Sequence, residues 1–489
     1  MRLPTRFPCP ASLLLALLLL LGGCKKDSPD TPVTPPVTPP TTPTGPSQVA
    51  VWLTTPDKTT LFARQRTVLN FNGTANADPT ISVDTTQTFQ TMDGFGYTLT
   101  GGSAYVMSLM SAGNRAALIR ELFATDSTYI GVSYLRVSIG ASDLSSQVYT
   151  YDDSGAPDPN LTGFSLAQEQ AYFIPVLKEI LAVNPSIKIL GSPWTAPSWM
   201  KSNNSPIGGS LLPQYYPAYA QYFVKYIQGM QALGIPIDAV TLQNEPLYGG
   251  NNPSMVMTGA EQAAFIKNNV GPAFRAAGLS TKIIAYDHNP DAAGLAFVNT
   301  VLSDPAASAF TDGSAFHLYG GTIGALSSVH DNFPGKNLYF TEQWTQAPGT
   351  NSFASDLTDH LLKLEIGGPR NWSRNVLEWN LASDQNYGPH TSGTGCSTCL
   401  GALTISGNTV ARNVAYYTVA HASKFVRPGS VRVATNQPAN LPNVAYKTPS
   451  GKRVLVVLNN GASPSFNIQY KGKTAYTTLP VGAVATYVW

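Results

Sequence analysis

At 489 residues the chain exceeds what one hydrophobic core usually organises, so a large domain with a smaller companion is the starting expectation. Thirty basic and 28 acidic residues give a net charge of +2 with no long run of either sign, which argues against a nucleic-acid surface and for a neutral substrate. Only 12% of residues are charged, while 23 Tyr and 7 Trp supply polar-edged apolar faces suited to packing on pyranose rings.

At the N-terminus, Arg2 and Arg6 precede the apolar run Ala11 to Leu21, which ends in Leu21-Gly22-Gly23-Cys24. The run is short for a membrane span, and the small-residue pair before the cysteine resembles a bacterial lipoprotein signal. On that reading residues 1–23 are removed and Cys24 is lipidated, which anchors the protein to a membrane of the bacterial cell envelope, facing the periplasm or exterior. An ordinary cleaved signal peptide, with no role for Cys24, is the alternative. Residues 24–47 contain the Thr/Pro tract Ser28 to Pro46 and read as a semi-rigid spacer.

Residues 48–90 are strand-rich, chiefly from Gln48 to Val83. Over residues 91–425 short apolar strands alternate with amphipathic segments of helix length, the sequence form of an α/β fold with parallel strands. Eight strands are expected: Gly94 to Leu99, Tyr134 to Ile139, Lys188 to Ser192, Ala239 to Gln243, Lys282 to Tyr286, Ser314 to His317, Asn337 to Thr341 and Asn375 to Trp379. Helices are expected over Asn114 to Phe123, Leu166 to Ala182, Tyr216 to Ala232, Ala260 to Ala276 and Phe353 to Leu364. Eight such units suit a (β/α)8 TIM barrel. Residues 426–489 change to strict alternation, as in Arg453-Val454-Leu455-Val456-Val457-Leu458, so both termini are expected to join in one side β-sandwich.

Cys396 and Cys399 lie in a Gly/Ser/Thr-rich stretch. In an oxidising compartment they are expected to form a local disulfide, since a zinc site would need two further ligands nearby.

TIM-barrel chemistry sits at the carboxyl ends of the strands, so the ionisable residues there are the candidates. The chain has eight glutamates. Glu121, Glu169, Glu179, Glu261 and Glu365 fall in predicted helices, where a solvated outer face explains them. Glu245 and Glu342 each end a strand, and Glu378 sits within the last. A carboxylate at a buried strand mouth is costly unless paired or used, and glycoside hydrolysis uses such a pair. A rim salt bridge is the alternative for either residue.

Ordered motifs then carry a resemblance. They are Asp93-Gly94-Phe95-Gly96, Leu135-Arg136-Val137-Ser138-Ile139-Gly140-Ala141-Ser142-Asp143, Ser192-Pro193-Trp194-Thr195-Ala196-Pro197, Gln243-Asn244-Glu245-Pro246, Phe316-His317-Leu318-Tyr319, Phe340-Thr341-Glu342, Trp379-Asn380-Leu381-Ala382 and Ser423-Lys424-Phe425. Together they resemble glycoside hydrolase family 30, which includes acid β-glucosidase (glucosylceramidase) and microbial β-1,6-glucanases. The resemblance implies a retaining double displacement without metal or organic cofactor, with Glu245 as acid/base and Glu342 as nucleophile. It implies that Asn244 bonds the sugar 2-hydroxyl or the nucleophile, that Asp143 and Trp194 bind the nonreducing-end sugar, and that Arg136 orients the carboxylates. His317, Tyr319, Trp344 and Trp379 complete the expected substrate-binding set.

The segment Gln343-Trp344-Thr345 and the Cys396/Cys399 loop depart from glucosylceramidase on the leaving-group side. The expected substrate is therefore a β-glucoside, glycolipid or glucan: a glucosylceramidase-like enzyme is the leading reading and a β-1,6-glucanase the close alternative. A noncatalytic carbohydrate-binding barrel is the reading from another class, and it predicts loss of one catalytic carboxylate.

Overall fold

From Gly94 onward the alternation of strand and helix closes, in the computed structural model of the chain, into a barrel of eight parallel strands. The structure describes residues 48–153, 155–349, 351–462 and 464–489; the expected leader, Cys24 and the spacer lie outside the described residues. The strands are β1 (Gly94–Leu99), β2 (Tyr134–Ser138), β3 (Lys188–Ser192), β4 (Ala239–Thr241), β5 (Lys282–His288), β6 (Thr311–His317), β7 (Asn337–Glu342) and β8 (Ser373–Asn380). β8 closes on β1 in parallel pairing.

Alternation along each strand decides what fills the barrel. Tyr134, Leu190, Ala239, Ile284, Ala315, Tyr339 and Leu377, one from each of β2 to β8, pack as a closed apolar layer. On β1 a Cβ at Gly96 would lie 1.9 Å from the carbonyl oxygen of Tyr134, so that approach requires glycine. Two residues further along, the layer turns polar, with Arg136, Ser192, Thr241, His317 and Thr341 capped by Trp379. On β5 the same count would bring Tyr286 inward. Instead Tyr286 and Asp287 take φ of 71° and 100°, pairing with β6 shifts register, and Tyr286 packs outward on Phe297. Asp287 takes the lumen position.

Tyr216–Ala232 is helical as expected, and Asn114 to Phe123 lies within the helix Ala112–Phe123. The segment from Leu166 divides into a 3-10 turn, Ala167–Gln170, and a helix, Phe173–Val183. Two further helical segments contain π-turns, at Ile266–Val270 and Leu361–Ile366.

These breaks correct two expectations, because Glu169 and Glu365 are buried rather than solvated. Glu169, in the 3-10 turn, accepts from the hydroxyls of Tyr149 and Tyr151 at 2.9 and 2.8 Å, and burial raises its carboxyl to about 7. Glu365 lies in a π-turn, whose wider winding rotates it off the face an α-helix would give it. Neither of its oxygens has a hydrogen-bond partner among the described residues, and burial, followed by the charge of Glu378, holds its carboxyl well above the ordinary 4.5. Glu378 points away from the lumen, since Leu377 and Trp379 point in. It lies 2.7 Å from His360 Nδ1 and accepts from Thr418.

Glu365 is thus carried as a neutral acid. The folded state keeps a proton that the unfolded chain releases above 4.5, so its contribution to stability is lost as pH rises beyond that value. Glu365→Gln should therefore reduce the fall in Tm between about pH 5 and pH 8 by about 2 °C or more. An equal fall in parent and variant would contradict the buried neutral acid.

Strands from both ends of the chain join in one ten-stranded sheet around a second core that includes Val49, Ile81, Leu455, Phe466 and Tyr487. Gln48–Thr54 pairs antiparallel with Val484–Val488, and Thr80–Thr91 bridges Val431–Thr435 and Ser465–Tyr470 before leading into β1.

Candidate active site

The polar layer of the barrel is organised around Asp287. Its Oδ2 accepts from Arg136 Nη2 at 2.8 Å and from Ser192 and Thr241 hydroxyls at 2.7 Å each. Its Oδ1 accepts from the Thr341 hydroxyl at 2.6 Å and faces His317 Nε2 at 3.2 Å. Burial pushes the Asp287 carboxyl up, but the charge of Arg136 and the bonds from His317 and Thr341 hold it far below the ordinary 3.8. Two charges this deep persist because each is paired and hydrogen-bonded.

Arg136 carries this anchored charge up to the barrel mouth. Its Nη1 donates to Glu342 Oε2 at 2.6 Å, and its Nη2 also donates to Asn244 Oδ1 at 2.6 Å. The other oxygen of Glu342 accepts from the Tyr319 hydroxyl at 2.9 Å. Glu245, at the turn after β4, has φ of 47°, in the left-handed region. Its Oε1 lies 3.2 Å from His317 Nδ1 and 3.6 Å from His288 Nε2, and its Oε2 accepts from Asn251 Nδ2 at 3.2 Å.

One oxygen of Glu245, one of Glu342 and a ring nitrogen of His317 all lie within 4.8 Å of one another. Carboxyl groups about 5–5.5 Å apart serve double displacement, and about 6.5–9.5 Å inversion. The nearest oxygens here stand closer than the inverting range. Burial lowers the His317 imidazole, but the charges of Glu342 and Asp287 and the bonds to Asp287 and Glu245 outweigh it and raise it to about 9. His317 is therefore an imidazolium at neutral pH. The trio is close enough to share a metal ion, but both ring nitrogens of His317 already face carboxylate oxygens, those of Glu245 and Asp287, at 3.2 Å each.

A cavity of about 500 Å³ opens above the pair, with Asp143, Tyr319, Trp344 and Trp379 in its walls. Trp194 stands one layer back, its ring 5.4 Å from that of Trp379 and 4.8 Å from the Arg136 guanidinium carbon. Asp143 Oδ1 and Trp194 Nε1 are both buried without a hydrogen-bond partner among the described residues. Burial, then the charges of Glu342 and Glu245, raise the Asp143 carboxyl to about 7. Cys396 and Cys399 are bonded to each other and form part of the wall. Their loop is tied to the one after β7 by an antiparallel pair, Gln346 with Cys399 and Thr345 with Leu400.

The model of the glycosyl hydrolase family 30 TIM-barrel domain matches residues 92–426, and that of the family 30 beta sandwich domain matches residues 429–487. The chain belongs to glycoside hydrolase family 30. The endo-1,6-beta-D-glucanase BGN16.3 of Trichoderma harzianum is 37% identical over 437 residues, 83% of this chain and 86% of that protein. The lysosomal acid glucosylceramidase of Mus musculus is 29% identical over 434 residues, 82% of this chain and 81% of that one. The solved structure of the endo-beta1,6-glucanase BT3312 superposes with a TM-score of 0.85 at 37% identity, covering 90% of this chain and 99% of that one. As a family 30 member the protein is a retaining glycosidase.

In this family 30 site the motif residues Arg136, Asn244, Glu245, His317, Tyr319 and Glu342 form one connected network, with Asp143, Trp344 and Trp379 on the walls. Asp287, His288 and Asn251 were not anticipated. The sequence signal for Asp287 is its place directly after the expected fifth strand, a position that the eight glutamates do not include.

Proposed function

We propose that this family 30 enzyme hydrolyses β-1,6-glucan, with Glu342 as nucleophile and Glu245 as acid/base. The observation that carries the assignment is the short-range grip on Glu342, whose two oxygens accept from Arg136 at 2.6 Å and Tyr319 at 2.9 Å. Those donors favour the carboxylate form and fix its orientation.

In the free site, burial raises the Glu342 carboxyl above the ordinary value, whereas the bond and charge of His317 outweigh burial at Glu245 and lower it. That order is the reverse of what the reaction needs. The two groups titrate as a pair, so the position of their proton is set by whatever occupies the cavity. A glycosidic oxygen beside Glu245 accepts from its protonated form, and Glu342, with two fixed donors, takes the negative charge.

Glu342 then attacks the anomeric carbon as Glu245 passes its proton to the departing oxygen, and the bond between that oxygen and the anomeric carbon breaks. Water enters on the leaving-group side, gives a proton to Glu245 and displaces Glu342, restoring the original anomeric configuration. Asn244, its amide oxygen held by Arg136, offers its N–H groups to the sugar 2-hydroxyl. Asp143 Oδ1, in the cavity wall, takes a further hydroxyl of that sugar, which supplies the partner it lacks. The 37% identity to β-1,6-glucanases against 29% to the glucosylceramidase favours glucan over glycolipid. The Leu21-Gly22-Gly23-Cys24 sequence supports attachment to the cell envelope through lipid on Cys24.

Purified protein should release oligosaccharides from β-1,6-glucan at least about tenfold faster than glucose from glucosylceramide, and the opposite order would overturn the substrate assignment. Glu245→Gln should lose about 10²–10⁴-fold on glucan but far less on an aryl glucoside whose leaving group needs no proton. Equal losses on both substrates would remove Glu245 from the acid/base role.

A further inference from the structure

Hydrolysis makes no use of a cleft at one end of the sandwich, where two strand turns meet. One leads through Gly451-Lys452 into Arg453–Leu458; the other, Lys471-Gly472, joins Ser465–Tyr470 to Lys473–Thr478. Lys471 and Gly472 have φ of 50° and 74°, the paired positive values of a tight two-residue hairpin. With Phe71 and Trp489 these turns enclose about 550 Å³.

The walls combine two chemistries. The rings of Phe71, Tyr470 and Trp489 pack at centroid distances of 5.3 to 6.1 Å, and the Arg453 guanidinium carbon lies 5.3 Å from the Tyr470 ring centre. Around them Lys452, Lys471 and Lys473 are exposed, and among the described residues no acidic side chain lines the cleft. The Tyr470 hydroxyl, Trp489 Nε1 and Arg453 Nε are each buried without a hydrogen-bond partner among the described residues.

We infer that this cleft binds an acidic polysaccharide, a chain of pyranose rings carrying carboxylate or sulfate groups. Aromatic surface packs on the C–H faces of sugar rings, and the unpartnered donors suit hydroxyls. Four cationic side chains against the single α-carboxylate of Trp489 leave an excess of positive charge that a neutral glucan would not answer. Single-stranded nucleic acid needs open ring faces for stacking along a basic track. Here the four cations cluster at two strand turns without extending into such a track, and the chain has no long basic run. The preference for a glycan rests on the family membership, whereas the site itself is independent of the Glu245/Glu342 pair.

Native affinity electrophoresis of the full-length enzyme tests this, with gels containing polygalacturonate, dextran sulfate or neutral dextran. The enzyme should be retarded by an acidic glycan and not by dextran; stronger retention by polygalacturonate assigns carboxylate, and by dextran sulfate assigns sulfate. The exposed double variant Lys471→Glu/Lys473→Glu should weaken retention at least about tenfold, and Tyr470→Ala should weaken it too, with hydrolysis of an aryl β-glucoside unchanged within about twofold. Absence of retardation at low ionic strength, or equal retention of parent and double variant, would overturn the proposal. So would oligo-dT competing for the cleft more tightly than either glycan.

Discussion

Glu342→Gln is expected to lower kcat on β-1,6-glucan by about 10⁴-fold or more, a barrier increase of at least about 5 kcal/mol. The amide keeps the volume of the side chain and an oxygen for Arg136 Nη1, now 2.6 Å from the carboxylate, so the fold survives. What it cannot do is attack the anomeric carbon and leave again as a carboxylate. Because the lost interaction belongs to the transition state, kcat should fall much more than KM rises. Steady-state kinetics on a gel-filtered, folded variant would settle this, and a loss below about tenfold would exclude Glu342 as nucleophile.

Arg136→Met is the second change of large effect, and it acts first on stability. It leaves two buried carboxylates, Asp287 and Glu342, without their shared cation, and strips Asn244 Oδ1 of its donor. Breaking a buried pair from one side costs about 3–5 kcal/mol, which a urea unfolding curve would show as a lower midpoint. Arg136→Lys should recover part of that stability but little activity, because one ammonium cannot span Glu342, Asn244 and Asp287 as the planar guanidinium does. Full activity in the lysine variant would show that charge alone matters there and that orientation does not.

The barrel and its mouth were legible because parallel strands buried on both faces write themselves as short apolar runs. Glu245 and Glu342 stand out because each lies at the carboxyl end of such a run. Glu378 was separable in principle by alternation, since Leu377 and Trp379 claim the lumen. Asp287 was not, because regular alternation assigns the inward position to Tyr286 and only the positive φ values at Tyr286 and Asp287 reverse the order. The burial of Glu365 escaped for a similar reason, as a π-turn leaves no mark in a helical hydrophobic pattern. The wall formed by Cys396 and Cys399 depends on pairing between loops more than 50 residues apart, Gln346 with Cys399, which no local pattern announces.

The pairing of roles is tested most directly by trapping the covalent intermediate. A 2-deoxy-2-fluoro-β-glucoside with an activated leaving group should inactivate the enzyme with release of one leaving group per active site, and peptide mass mapping should place the fluorosugar on Glu342. Attachment to Glu245, or continued turnover with no label on either residue, would contradict the assignment.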